Sequence, residues 1–184
     1  MKKELKRKYK IINMMISMHS IMYYNFKTKQ LTGNIFFLIM AIILNIFIFF
    51  DFEHLKFLNL KESSIKYIIS ISTFVIFLLS VIFLLIEWGK KSERHKQAMN
   101  QLSRLLNELR SIMEISNSIS NSKLDLFNEL YIQTFETTPK IPDKKFNNLK
   151  AKHYRKIELS KFIDNHKGKP FFVIRILFLF KSIF

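Results

Sequence analysis

Two uncharged apolar stretches constrain the fold of this chain more than any other feature. Residues 33–50 read GNIFFLIMAIILNIFIFF and residues 67–86 read YIISISTFVIFLLSVIFLLI. A bilayer core about 30 Å thick requires roughly 20 apolar residues in a helix, so each stretch is long enough to cross it. Buried helices of a soluble core are the alternative, but a chain of 184 residues leaves too little protein to cover two of them. The first stretch is too long and begins too late for a secretory signal peptide, so we expect two transmembrane helices that both remain in the mature protein.

The basic residues flank these stretches on one side only. The connector at residues 51–66 has three acidic and three basic residues, whereas residues 1–32 carry a net charge of +7 and residues 87–184 carry +9. Lys and Arg are enriched on the cytoplasmic side of membrane proteins. The sequence therefore predicts a membrane hairpin with both termini in the cytoplasm. Trp88 follows the second stretch, where aromatic side chains act as interface anchors.

Four polar residues within the apolar stretches are candidates for pore lining or for helix packing: Asn45, Ser70, Thr73 and Ser80. The three hydroxyl residues and Phe77 fall on one stripe of a helix. Small hydroxyl side chains let membrane helices approach and bond to one another, but the same stripe could line a wet pore between several copies. Neither stretch holds an ionisable residue, which argues against a proton-coupled transporter or a voltage sensor.

After the second stretch the sequence changes to amphipathic periodicity. Two sets of positions seven residues apart begin at Trp88 and Ser92 and continue for about four heptads. This pattern predicts one apolar seam on a long helix, with charged side chains outside. We expect the second membrane helix to continue directly into this helix, which polar residues 116–122 end, and the seam to pack in a bundle or between subunits. The predicted oligomer seam consists of His95, Met99, Leu102, Leu106 and Leu109.

The fold class is therefore predicted to be an all-α membrane protein, a two-helix transmembrane hairpin whose second helix continues into a cytoplasmic helical bundle. Its predicted parts are a basic amphipathic helix at residues 1–32, the hairpin at residues 33–88, a cytoplasmic helical region at residues 89–169 and an apolar, basic tail at residues 170–184. The tail is too short to span a bilayer. An interfacial helix on an anionic leaflet suits it better, and packing in an oligomer is the alternative.

The chain lacks the residue patterns of common catalytic and metal sites. It has no Cys, which excludes disulfides, Cys-ligated zinc, iron–sulfur clusters and thiol catalysis. It also has no phosphate-binding glycine loop, HExxH motif or nucleophile elbow, and no two of its five His lie four residues apart. We expect no enzyme activity, no metal and no cofactor, and we expect His95 to be a hydrogen-bonded packing residue. The basic run at residues 144–156 is interpreted as a solvated face beside an anionic membrane rather than a nucleic-acid site.

One set of residues resembles a known family. Arg94, His95 and Ala98 lie on the helix after the second span, and Tyr131 precedes Pro139 and Pro142 in the segment LYIQTFETTPKIPDKKF. Together with the order of basic helix, membrane hairpin and continuing helix, they resemble the SLATT family over residues 5–165. This family consists of two-transmembrane effectors of bacterial nucleotide-signalling conflict systems. The resemblance implies an effector that oligomerises or opens a membrane pore on an infection signal and stops cell growth.

Three functions remain open from the sequence. The first is a homo-oligomeric effector that permeabilises the membrane when a nucleotide signal or a partner sensor triggers it. Since the chain has no room for a separate sensor domain, a cytoplasmic sensor or signalling partner encoded elsewhere is favoured. The second is a membrane-anchored scaffold that recruits a cytoplasmic partner through residues 144–156, and the third is a holin-like toxin that acts alone.

Overall fold

The computed structural model describes residues 2–49, 62–114 and 121–181. Within these ranges the chain is all-helical and has no strand, which confirms the predicted all-α class, and two of its helices are long and apolar enough to cross a membrane. The helices are α1 (Lys2–Phe49), α2 (Glu62–Leu85), α3 (Trp88–Glu114), α4 (Asn121–Thr137), α5 (Asp143–Asp164) and α6 (Phe171–Lys181). Most of the predicted external connector, most of the polar stretch at 116–122 and the end of the tail lie outside the described residues.

The chain divides into two compact units. The apolar unit is Tyr23–Glu93, and it contains the second half of α1, all of α2 and the start of α3. The basic unit is Met1–Met22 with Arg94–Phe184, and it contains the other helices and the other parts of α1 and α3. The basic unit carries most of the positive charge of the chain, a net +14 of the total +16.

In the apolar unit, α1 and α2 pack along one narrow face each. Gly33 and Phe37 of α1 lie half-buried, and the ring of Phe37 meets the ring of Phe83 edge-on at 5.3 Å between centroids. A Cβ atom at Gly33 would lie 2.1 Å from the Phe83 ring, so only glycine permits this approach. The remaining faces of both helices are exposed. In the most apolar 18-residue window of each helix, no residue is buried within the chain, unlike a helix in the core of a soluble protein.

The junction between α2 and α3 corrects one prediction. The helix expected to continue from the second span is interrupted by a turn at residues 86 and 87, because Glu87 adopts φ 54°. A non-glycine residue in the left-handed region is uncommon and carries strain. The nearby glycine, Gly89, lies within α3. A Cβ atom there would lie 2.7 Å from the side chain of Gln30 on α1.

The basic unit has an apolar core built from α1, α3 and α4. Leu102, Leu105 and Leu109 of α3 are almost completely buried, against Leu5 and Ile12 of α1 and Phe127 of α4. These positions recur at helical spacing, and each buried Leu or Ile side chain stabilises the folded unit by roughly 1.5–3 kcal/mol.

The last two helices of the basic unit pack against each other. The ring of Phe162 on α5 contacts the ring of Phe178 on α6 at 5.6 Å between centroids. Ile174 and Phe178 are buried, whereas several apolar residues on the other side of α6 are exposed. Between α4 and α5 the chain leaves helical geometry from residue 138 to residue 142, where Pro139 and Pro142 lie.

Candidate functional sites: a hydroxyl groove and a buried histidine pair

An open groove runs along the apolar unit beside the contact between α1 and α2. Its volume is about 630 Å³. Ser70 and Thr73 provide its hydroxyl groups, and Lys66 lies one turn before them on α2. Three of the four residues predicted on one stripe of the second span therefore line one surface. The groove is lined by Phe47, Lys66, Ile69, Ser70, Thr73, Phe74 and Phe77.

The polar side chains of the two apolar helices bond to the backbone of their own helix. Thr73 Oγ1 donates to the Ile69 carbonyl at 2.8 Å, and Ser80 Oγ donates to the Phe77 carbonyl at 2.7 Å. Asn45 Nδ2 donates to the Ala41 carbonyl at 2.7 Å. The hydroxyl donors of Thr73 and Ser80 and one of the two amide hydrogens of Asn45 are thus satisfied within their own helix, which lowers the cost of placing these side chains in lipid. Asn45 and Ser80 do not line the groove.

Trp88, the predicted interface anchor, contacts two basic residues at one end of the apolar unit. Its indole stacks on the Phe26 ring at 5.6 Å between centroids. The Nζ atom of Lys29 lies 4.7 Å from the centroid of the Trp88 ring, and that of Lys91 lies at 5.2 Å. Both ammonium groups are placed for cation–π attraction. One basic residue that precedes the first apolar stretch and one that follows the second therefore meet at a single tryptophan.

Most of the predicted oligomer seam is already buried within one chain. His95, Leu102, Leu106 and Leu109 are buried, and Met99 is half-buried. Leu105, which the heptad count left out, is 2% exposed, and a helical period of 3.6 residues would have included it. The four leucines belong to the apolar core of the basic unit. They cannot also contact another copy unless that core opens, so the seam stabilises the chain itself.

The most unusual polar contact in the basic unit joins His19 of α1 to His95 of α3. The two Nδ1 atoms lie 2.8 Å apart and the ring centroids 5.1 Å apart. His19 is completely buried, and no hydrogen-bond partner of its Nε2 lies among the described residues. Metal-binding histidine pairs on one helix lie four residues apart. Local spacing does not predict this pair, because 76 residues separate His19 from His95.

The geometry of the histidine pair requires that one Nδ1 donates and the other accepts. The pair can therefore be neutral or carry one extra proton. Two protonated rings would set two N–H donors against each other. Burial, and secondly the neighbouring His95, lower the pKa of His19 to about 4. Burial, and secondly Lys145, lower the pKa of His95. At neutral pH this is an uncharged pair, and protons destabilise it.

Within the described part of the chain, no third ligand joins the histidine pair to make a metal site. Among the residues that the structure describes, no group of three His, Asp or Glu side chains could hold a metal ion. The pair instead works as a buried polar contact between α1 and α3, which fixes how these two helices face each other.

The other residues of the family resemblance lie in three places in the basic unit. Ala98 is buried one turn after His95, whereas Arg94 is exposed. The Tyr131 ring lies 4.5 Å from the Phe135 ring, with the Lys8 ammonium 5.4 Å from its centroid. Burial raises the pKa of Tyr131. Pro139 and Pro142 lie in the segment between α4 and α5.

The basic run at residues 144–156 lies on α5 and exposes most of its cations. Lys144, Lys152 and Arg155 are exposed, whereas His153 is buried on the other side of the helix. Burial, and secondly Lys156, lower the pKa of His153.

Comparisons with protein-family models, with curated proteins and with solved structures found no match to this chain. The function is therefore argued from the residues and contacts described above.

Proposed function

We propose that this protein is a homo-oligomeric effector of the bacterial inner membrane that permeabilises the membrane when triggered, causing growth arrest or cell death. One observation carries the membrane part of the proposal. The most apolar windows of α1 and α2 have no buried residue, and large side chains such as Leu38 and Leu84 are 63% and 75% exposed. Apolar surface of this extent requires lipid or other copies to cover it.

Two contacts within the apolar unit support a transmembrane hairpin. Gly33 and Phe37 of α1 meet Phe83, near the end of α2. Phe47, near the end of α1, shares the groove with Lys66, near the start of α2. These two contacts support an antiparallel arrangement of the two helices. The basic residues gathered at Trp88 support an orientation with this end in the cytoplasm, where positive residues are favoured.

The hydroxyl groove supports a path for ions or small solutes between several copies. A single chain offers only an open groove, because two helices cannot enclose a conduit. Copies arranged with Ser70 and Thr73 facing inward would give a hydroxyl-lined passage, with Lys66 as the charged residue at one end. The oxygen atoms of both side chains can accept hydrogen bonds from water, even though the Thr73 hydroxyl donates to the backbone.

The proposal includes a trigger because the sequence resembles the SLATT family. Arg94, His95, Ala98 and Tyr131 all lie in the basic unit. A cytoplasmic sensor or a nucleotide signal acting on this unit is the input that the resemblance implies. The proposal includes no catalytic step, metal or cofactor, and its other partners are membrane lipids and copies of the same chain.

A membrane-anchored scaffold is the second candidate, and one observation favours it. The exposed cations of α5 form a face that could recruit an acidic cytoplasmic partner. In that case the hydroxyl residues of α2 would serve only packing between helices, and the protein would conduct nothing.

Ion flux separates these candidates. The protein is expressed together with its neighbouring genes, the system is triggered, and membrane potential and dye exclusion are measured in the cells. We expect depolarisation, and we expect a Ser70→Ala/Thr73→Val variant to depolarise less while it reaches the membrane in equal amount. Ser72→Ala, a half-buried serine outside the groove, is the matched control.

Normal potential and dye exclusion in triggered cells would exclude the pore and favour the scaffold. Toxicity of the single gene, without its neighbours, would instead indicate a toxin that acts alone.

A further inference from the structure

Helix α6 exposes an apolar face that belongs to neither membrane span. Phe172, Ile176 and Phe180 follow one another at intervals of four residues, so they lie on one face of the helix. They are 66%, 49% and 61% exposed. The opposite face is buried through Ile174 and Phe178 and rests on α5. The packing of α6 within the chain thus leaves its outer face uncovered.

The concentration of exposed apolar residues on α6 is unusual for the basic unit. Elsewhere in the described part of that unit, the large exposed apolar side chains are Leu126, Ile132 and Tyr154, which are scattered over α4 and α5. Single residues of this kind are normal on protein surfaces. A contiguous patch of aromatic and aliphatic side chains on one helix marks an interaction surface.

The charged residues of α6 and of the turn that leads into it are all basic. Residues 165–184 contain four basic residues and no acidic residue. Lys167 and Lys169 are exposed in the turn that leads into α6, and Arg175 is exposed beside the apolar face. An apolar helical face flanked by Lys and Arg is the pattern of helices that lie in the headgroup region of an anionic membrane.

A second copy of the chain fits this face less well than lipid does. Eleven residues give a helix about 16 Å long, which is short for an interface that should bury about 1,200–2,000 Å². In a symmetric dimer through this face, the Arg175 residues of both copies would also be brought close to each other. Anionic lipid avoids both problems, since acyl chains take up the apolar face and phosphates attract the cations.

We infer that α6 binds an anionic lipid surface, with Phe172, Ile176 and Phe180 in the boundary between headgroups and acyl chains and with Arg175 and Lys169 near the phosphates. This surface would hold the basic unit to a leaflet through a contact separate from the two spans. The inference rests on the membrane location in the proposed function, but it requires no pore and no trigger.

Because the chain has no Cys, single cysteines can report the surroundings of α6 in the full-length protein. Ile176→Cys is labelled with a nitroxide and reconstituted at low protein density in vesicles that contain phosphatidylglycerol. Ile71→Cys on the exposed side of α2 serves as the lipid reference, and Ile132→Cys on the exposed side of α4 serves as the water reference. Collision with oxygen marks lipid, and collision with a water-soluble nickel chelate marks water.

The expected result is that the label at residue 176 collides with oxygen more than with the chelate, as at residue 71, and that residue 132 shows the opposite. Replacing Arg175 and Lys169 by Gln should lower the equilibrium constant for binding of α6 to lipid, by about fivefold for each cation lost. High salt, or vesicles of phosphatidylcholine alone, should act in the same direction. A label at Phe172→Cys repeats the measurement on the same face.

Two results would overturn the inference. Free access of the chelate to residue 176 would show that α6 lies in water, and protection from both reagents would show that protein covers it. The label at residue 71 distinguishes a failure of the α6 inference from a failure of the proposed function. If residue 71 is in lipid and residue 176 is not, only the α6 inference fails; if residue 176 alone is in lipid, the spans are wrong and the inference stands.

Discussion

The buried histidine pair predicts how the stability of the basic unit depends on pH. His19 is completely buried, its Nδ1 lies 2.8 Å from Nδ1 of His95, and burial lowers its pKa to about 4. In the unfolded chain the same imidazole has a pKa near 6.5. Between these two values the unfolded chain binds more protons than the folded chain, so stability rises with pH in this window. The contribution is complete above pH 6.5 and is lost as the pH falls toward about 4.

The size of the effect follows from the two pKa values. Each change of one in pKa corresponds to about 1.4 kcal/mol, so the whole contribution of a neutral His19 is on the order of 3 kcal/mol. Between pH 7.5 and pH 5, His19 alone should lower the free energy of opening by about 2 kcal/mol. His95 acts in the same direction, because its pKa is also lowered.

Hydrogen exchange measures this free energy region by region in the protein held in detergent micelles. Exchange of the amides in residues 12–22 and 94–109, corrected for the intrinsic rate at each pH, gives the opening free energy of the two helices that carry the pair. His19→Asn should remove about 2 kcal/mol of the pH dependence, because the amide does not titrate. His166→Asn at the end of α5 is the matched control, and α2 peptides are the internal reference.

Equal pH dependence in the wild-type protein and in His19→Asn would refute this reasoning. It would mean that the unfolded and folded chains bind protons equally at residue 19, and hence that the ring is hydrated rather than buried. A loss of pH dependence in His166→Asn instead would place the titrating group at residue 166, in the turn after α5.

Three further predictions test the packing of the two units. Leu102→Glu should unfold the basic unit, because it buries an unpaired charge among apolar residues, while Asn107→Glu on the exposed side of α3 should not; circular dichroism and limited proteolysis check both. Gly33→Leu should disrupt the contact of α1 with α2, because the new side chain would clash with the Phe83 ring. Adding Phe83→Ala to this variant should restore the contact, as measured by crosslinking between the helices. Asn45→Leu should weaken assembly or conduction by removing an amide from the first span, as measured by oligomer size in detergent and by ion flux.

The sequence predicts the apolar helices well, because the thickness of a bilayer imposes a length that can be counted directly. The second stretch was placed at residues 67–86, and α2 ends one residue earlier. The sequence does not predict the turn at Glu87, because glutamate does not favour positive φ. Gly89, a residue type that does favour it, lies within a helix. The histidine pair was missed because it depends on which face of α1 meets α3, and local periodicity carries no information about that.

The burial of the α3 seam also changes where an oligomer can form. Leu102 and Leu109 are used inside one chain, so the uncovered faces are those of α1 and α2, with the groove of Ser70 and Thr73, and that of α6. In lipid the hydrophobic effect does not drive helices together, and association depends on close packing and on polar contacts. Assembly through α2 would therefore use the same hydroxyl groups that would line a pore. Thr73→Val should then reduce oligomer size and conduction together, whereas an oligomer held by the basic unit would keep its size and lose only conduction.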